Sequence, residues 1–289
     1  MSIETQNKLS VANPLAKYFR QPAIYVNLPT GGKWWPEGSL DLPENGELPV
    51  YPMTVRDEVT LRTPDALLNG QGVVDVVQSC FPNIKNAWKM PASDVDAVLI
   101  SMRIASNGHS MDFSNTCPHC KEEHVYGVDL RHLLASITVP DYDEPGMLGD
   151  NLEIKFRPQN YAELNKANQL QFEITRLNSA IQNMDESSEK MAQSAAQLEK
   201  YMALNQEIIA GATESIRELS SEEAITDRNF INEFYSSIDA RMFNSIQELL
   251  VEKTKDSGLK VLPVNCQSCE EQIDLTILFD YANFFVVGS

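Results

Sequence analysis

The sequence predicts an α+β fold: a small ribbon-like β element with short helices, interrupted by a long all-α, coiled-coil-like insertion. Three observations predict it. Two Cys-x-x-Cys pairs with strand-like flanks stand far apart, at Cys117–Cys120 and Cys266–Cys269. Between them lies a stretch without proline whose apolar residues recur at helical spacing. Ahead of the first pair, short helix and strand signals alternate with Gly and Pro punctuation. The expected divisions are an extended arm over 1–45, a core with the first cysteine pair over 46–158, the helical insertion over 159–255, and the second pair with returning strands over 256–289.

The first forty-five residues are dense in Pro and Gly, with one strand candidate, "AIYVNL", and a Trp34–Trp35 pair. Such a segment rarely builds a core of its own. Two readings of the tryptophans stay open. They fold back onto the main body, or they anchor the arm in a partner, as paired aromatics at interfaces do.

Compact structure is expected from about residue 54. Thr63–Pro64 reads as an N-cap followed by a first-turn proline, and Asn69–Gly70 as a stop. The stretch "PASDVDAVLISMRIASNGH" predicts a firmer helix. Ser93 is its candidate cap, Val95, Val98, Leu99 and Met102 share one face, and Asn107–Gly108 ends it. Strands are expected on both sides of the first cysteine pair, "SMDFSNT" before it and "HVYGVDL" after it.

From Ala167 onward, apolar positions follow alternating steps of three and four: Ala167, Leu170, Ile174, Leu177, Ile181, Met184, Ser188, Met191, Ala195, Leu198, Met202, Asn205, Ile209, Ala212, Ile216 and Leu219. Only Ser188 and Asn205 among them are polar, and a seven-residue repeat sustained this far is a coiled-coil signature. Two arrangements fit. One helix over 162–219 would be roughly 85 Å long; alternatively "MDESSEK" turns and two shorter helices pack together. The unbroken register and the lack of Gly or Pro at the turn favour the single helix. Its seam would need a partner: another copy, another protein, or the returning helices "DRNFINEFYSSI" and "RMFNSIQELLVEK".

The two cysteine pairs share one plan. "FSNTCPHCKEEHVYGVDL" and "LPVNCQSCEEQIDLTILF" each run strand, Cys-x-x-Cys, two charged residues and strand. Facing each other they would make a zinc ribbon, with Cys117, Cys120, Cys266 and Cys269 closing a tetrahedron of thiolates around a structural Zn²⁺. With 145 residues between Cys120 and Cys266, the helical segment becomes an insertion whose ends meet at the metal. Other readings stay open: His119 or His124 replacing a cysteine, a redox pair, or bare thiols. A redox Cys-x-x-Cys needs a helix start in a βαβ context, which the sequence lacks. Cys80, in "VVDVVQSCF", reads as a buried small apolar residue.

No catalytic constellation is evident. Four thiolates leave no open coordination position for water, and no phosphate loop, Gly-x-Ser-x-Gly or His-Glu-x-x-His occurs. The chain of 289 residues carries a net charge of −18 and 43% hydrophobic residues. This is a globular composition that argues against broad attraction to nucleic acid or anionic membrane. No apolar run is long enough to span a bilayer, and the N-terminus has no apolar signal core.

Four phrases together carry a resemblance: "NPLAKYFRQPAIYVNLPTGGKWW", "VYPMTVRDEVTLRTPDALLNGQGVVDVVQSCFPNI", "DVDAVLISMRIASNGHSM" and "CPHC" followed by "VDL". They resemble the baseplate hub and hub-assembly proteins of T-even-like contractile-tailed bacteriophages, over about residues 12–135 and the C-terminal cysteine knuckle. The "MTVRDEVTL" and "TPDALLNG" blocks are the specific part, and the long helical middle departs from the family pattern. The resemblance implies a non-enzymatic virion component of the tail baseplate, assembled in the host cytoplasm. Its implied partners are other hub, tube or tape-measure proteins, with self-association through 162–219 a further expectation. The competing reading from the residues alone is a nucleic-acid-binding or transcription-accessory zinc ribbon. That would need basic and aromatic residues at the knuckles, where "CKEEH" and "CEEQ" stand instead.

Overall fold

Residues Ile24–Asn27 (β1) pair antiparallel with Glu47–Val50 (β2), and this ribbon lies against a group of helices. The computed structural model describes residues 13, 15–63, 69–182, 188–259 and 262–275. The helices are α1 (Val55–Leu61), α2 (Gln71–Cys80), α3 (Ala92–Asn107) and α4 (Leu130–Ser136). A reciprocal box opens α1: the Thr54 hydroxyl accepts from the Asp57 N–H, while the Asp57 carboxylate accepts from the Thr54 N–H. Helix α3 is buried on nearly every side, including the predicted Val95, Val98, Leu99 and Met102, and Gly108 at φ +85° ends it. It begins without a side-chain cap; Ser93 lies inside its first turn. Leu48, Val50, Val77, Phe81, Leu130 and Leu133 are also part of this first core. Of the expected Thr63–Pro64 helix start, Pro64 lies outside the described residues. Gly70, read as a helix stop, directly precedes α2, at φ +75°.

The tryptophans fold back onto the body, the first of their two readings. Trp35 donates through Nε1 to Asp94 Oδ2 (2.8 Å) and packs on the first core. Trp34, in the left-handed region at φ +62°, points the other way and meets Tyr142 edge-to-face at 5.3 Å. Adjacent residues thus enter two different cores, an arrangement that accounts for the unusual backbone at Trp34.

The second core is built on a three-stranded antiparallel sheet of β5 (Gly146–Leu148), β6 (Leu152–Phe156) and β7 (Thr213–Glu218), in the order β5-β6-β7. Helices α5 (Tyr161–Gln182), α6 (Ser188–Ala212), α7 (Arg228–Ser237) and α8 (Ala240–Thr254) accompany it. Ile154, Phe156, Ile209, Ile216, Ile231, Tyr235 and Ile246 are among its buried residues. The Tyr235 hydroxyl is satisfied by Thr213 Oγ1 at 2.7 Å, and burial pushes its ionisation up to about 12. Packing of this core reaches back to Val139, ahead of the boundary expected at residue 159.

A single helix over 162–219 does not form. Helix α5 ends at Gln182, α6 starts at Ser188, and the two run antiparallel as a hairpin. Glu173 faces Lys200, Lys166 faces Glu207, and Gln197 Nε2 donates to the Ile174 carbonyl at 2.7 Å. Of the "MDESSEK" turn candidate, residues 184–187 lie outside the described residues. The physical reason for the hairpin is internal burial: Ile174 and Leu204 are both buried between the helices, so the seam closes within one chain. The heptad register does not survive the reversal. Leu198 and Met202, both predicted seam positions, are 61% and 50% exposed. Residues 213–218, counted as the last helical turns, leave the helix to pair with β6. The run Thr213–Glu218 contains β-branched Thr213 and Ile216, which suit a strand.

The insertion's two ends meet. Thr138 and Gly258 exchange both backbone hydrogen bonds, at 3.3 and 2.8 Å. The chain therefore enters and leaves the second core through one doorway beside the cysteine ribbons. At the root of α5, Tyr161 N–H donates to the Met90 carbonyl and Ala92 N–H to that of Gln159, each at 2.7 Å, tying the hairpin to α3.

Candidate metal centre

Two small hairpins carry the cysteines: β3 (Ser110–Thr116) with β4 (Glu123–Asp129), and β8 (Leu262–Asn265) with β9 (Gln272–Leu275). Both turns are built alike. Cys117 N–H donates to the Glu122 carbonyl at 2.9 Å and Lys121 N–H to the Cys117 carbonyl at 3.0 Å. In the other hairpin, Cys266 N–H donates to Glu271 at 2.9 Å and Glu270 N–H to Cys266 at 3.0 Å. The repeat seen in the sequence is thus a repeat of backbone geometry.

The structure brings the four predicted cysteines together, their sulphurs all within 4.8 Å of one another. Cys117 Sγ lies 3.8 Å from Cys269 Sγ, and Cys120 Sγ 3.6 Å from Cys266 Sγ. A tetrahedron with metal–sulphur distances of about 2.3 Å has edges of about 3.8 Å, so the donor set fits a closed four-thiolate site. Beneath it, Tyr126, Val128, Ile273 and Leu275 are buried with Cys117 and Cys266. The hairpins also bind each other directly. Gln267 Nε2 donates to the Val125 carbonyl at 3.1 Å, and the Ser268 hydroxyl donates to the Glu122 carboxylate.

The thiols differ in how readily they ionise. Backbone N–H groups of Cys269 and Ser268 hold the Cys266 thiol down at about 6. The Glu271 N–H also favours the Cys269 thiolate, but burial and the neighbouring thiols, Cys266 first, push that group up to about 12. His119 is exposed and belongs to no ligand cluster among the described residues. His124 lies with Cys120 and Glu122 in a second group of potential ligands, its Nε2 buried without a hydrogen-bond partner. Neither Cys-x-x-Cys opens a helix, as a redox pair would require. Cys80 is fully buried at the end of α2, away from this cluster, and burial pushes its thiol to about 12.

The sequence reading missed the backbone strain here. Lys121 at φ +66° and Glu270 at φ +61° both occupy the left-handed region, at matching turn positions. The shared Cys-x-x-Cys followed by two charged residues was the available signal. Glycine adopts this conformation without steric cost, so Lys121→Gly and Glu270→Gly should each stabilise the chain by about 0.5–1 kcal/mol. Urea titration of the variants checks this, and a loss of stability in both would show that the side chains hold the turns.

No helix among the described residues is long and apolar enough to cross a membrane. Comparison with known proteins yields no match among curated sequences and none among solved structures. A family model described as T4 bacteriophage base plate protein matches residues 26–286, spanning both cysteine hairpins, the insertion and the first core. The chain belongs to the T4 bacteriophage base plate protein family, and is thereby a component of a phage tail baseplate.

Proposed function

We propose that this baseplate protein is a non-enzymatic structural or assembly component of the hub region, whose body is stapled by one structural Zn²⁺ on Cys117, Cys120, Cys266 and Cys269. Family membership across residues 26–286 carries the baseplate reading; the tetrahedral sulphur spacing supports the zinc. When bound, the metal joins two hairpins whose cysteines are 146 and 152 positions apart in the chain, and so holds both ends of the insertion to one point. The surfaces offered to neighbouring hub, tube or tape-measure proteins are the N-terminal segment, with exposed Leu15, Tyr18 and Phe19, and the outer face of α6. Leu198 and Met202 on that face also support self-association through the hairpin. The nucleic-acid reading gains no support, because Glu122, Glu123, Glu270 and Glu271 are exposed around the knuckles and would repel phosphate.

Two measurements test this. Purified protein should contain about one zinc per chain by elemental analysis, and folded protein without metal would sink the staple. A phage lacking the chain should fail to complete baseplates in infected cells, with rescue by the wild-type chain in trans. Normal tails in its absence would overturn the assembly role.

A further inference from the structure

A cleft of ≈ 370 Å³ opens at the root of the hairpin, where α5, α6 and α7 meet. Its apolar part is Ala167, Leu170, Leu204 and Ile208; its charged part is Arg157, Glu163, Lys166, Glu207 and Arg228. We propose that this cleft is a docking site for an acidic side chain flanked by an apolar residue, on a polypeptide segment of a partner protein.

The charge balance argues for an anion. Glu163 is saturated by its own chain: Arg157 Nη2 donates to Oε1 at 2.6 Å, and Arg157 Nη1 and Asn160 N–H donate to Oε2 at 3.2 and 2.9 Å. Glu207 is paired with Lys166. Glu214, which also acts on Arg228, is paired with Lys155 at 3.2 Å. Arg228 has no carboxylate bonded to it among the described residues. It donates through Nη1 to the carbonyls of Ala210 and Thr213, at 3.2 and 2.5 Å, at the end of α6. Arg157 Nε is buried without a hydrogen-bond partner. Burial and then the like charge of Arg157 disfavour ionised Arg228, which an incoming carboxylate would relieve. Three cations against two anions make this a locally positive cleft in a chain of net charge −18.

The apolar half argues for a peptide rather than a free anion. A phosphate ion would leave the half-buried Leu170 and Ile208 uncovered, whereas a side chain next to the carboxylate covers them. A surface carboxylate on an apolar-flanked segment matches both halves, with an Arg-paired anion fixing orientation and the apolar contact excluding water.

Random heptapeptides selected on the intact zinc-containing chain should enrich Asp or Glu next to Leu, Ile or Val. In fluorescence anisotropy, the enriched peptide should bind about ten-fold more weakly to Arg228→Gln. Ala167→Glu, which leaves the Arg228 bonds to the Ala210 and Thr213 carbonyls in place, should weaken it comparably. The Asn or Gln version of the peptide should bind poorly to wild type, and added salt should weaken the acidic one. Circular dichroism establishes that each variant is folded. Absence of acidic enrichment, or affinity unchanged in Ala167→Glu, overturns the proposal. So does inorganic phosphate that binds with the same Arg228 dependence while no peptide is enriched, since the cleft would then be a free-anion site.

Discussion

With the proposed zinc staple, replacing Cys266 by serine is expected to abolish metal binding and collapse the cysteine hairpins. Serine is similar in size but its hydroxyl remains protonated near neutral pH, so it supplies no anionic ligand. Structural zinc contributes apparent binding free energies of roughly 10–16 kcal/mol in small domains, against net stabilities of about 5–15 kcal/mol for whole domains. The hairpins cannot offset such a loss. Among the described residues their shared core is six buried side chains, two of them the proposed ligands Cys117 and Cys266 themselves. The effect should also reach the insertion. Gly258 and Thr138 would still bond at its doorway, but the second cysteine hairpin would no longer hold the exit to β3 and β4. Loss of zinc by elemental analysis, with rapid proteolysis within 110–129 and 262–275, is the expected outcome. Cys80→Ala serves as the control. It removes a buried thiol outside the cluster and should retain the metal at a cost of about 1 kcal/mol. A Cys266→Ser protein that keeps zinc and resists proteolysis would show that His124, beside Cys120 and Glu122, completes the site.

Much of the cysteine site was legible because its information is local. The strand–Cys-x-x-Cys–strand phrase occurs twice, and each copy dictates the same turn hydrogen bonds. The helical hairpin was half legible. Periodicity marked the helices, but periodicity describes a seam and not the chain that fills it. Ile174 lies on the pattern and Leu204 one residue off it, and both are buried within one molecule. A second helix packed antiparallel need not keep the register of the first, and Leu198 and Met202 lie on the outside. The strand Thr213–Glu218 was hidden because Ala212 and Ile216 also fit the helical count; only pairing with Leu152–Phe156, distant in sequence, makes it a strand. The cleft was illegible for the same cause. Arg157 and Arg228 are brought together by the sheet and α7, and only the Asn160–Glu163 capping box beneath them has a sequence signature.

Asp94 carries no motif in the sequence, and its replacement should be the costliest change outside the cysteine cluster. This carboxylate is fully buried in the first turn of α3. Oδ1 accepts from Thr30 N–H at 2.9 Å, while Oδ2 accepts from the Thr30 hydroxyl at 2.6 Å and Trp35 Nε1 at 2.8 Å. It thereby fixes the loop that sends Trp34 and Trp35 into separate cores. Alanine would strand three donors, two of them on buried Thr30, at an expected cost of about 4 kcal/mol. Asparagine should cost about 2 kcal/mol. Its amide group can meet the Thr30 hydroxyl, which can turn to accept, but it cannot meet Trp35 Nε1–H, which only donates. Burial raises the Asp94 ionisation above the usual carboxylate range, with the Thr30 and Trp35 hydrogen bonds opposing it. A folded value above the unfolded one means stability that is full below about pH 4 and lost as pH rises through the folded value. Asparagine does not titrate, so the wild-type advantage over Asp94→Asn should narrow as pH rises through that window. Urea titrations at a series of pH values, followed by tryptophan fluorescence, measure both effects. An alanine variant within 1 kcal/mol of wild type would refute the anchoring role, and a gap that widens with pH would show that the hydrogen bonds outweigh burial.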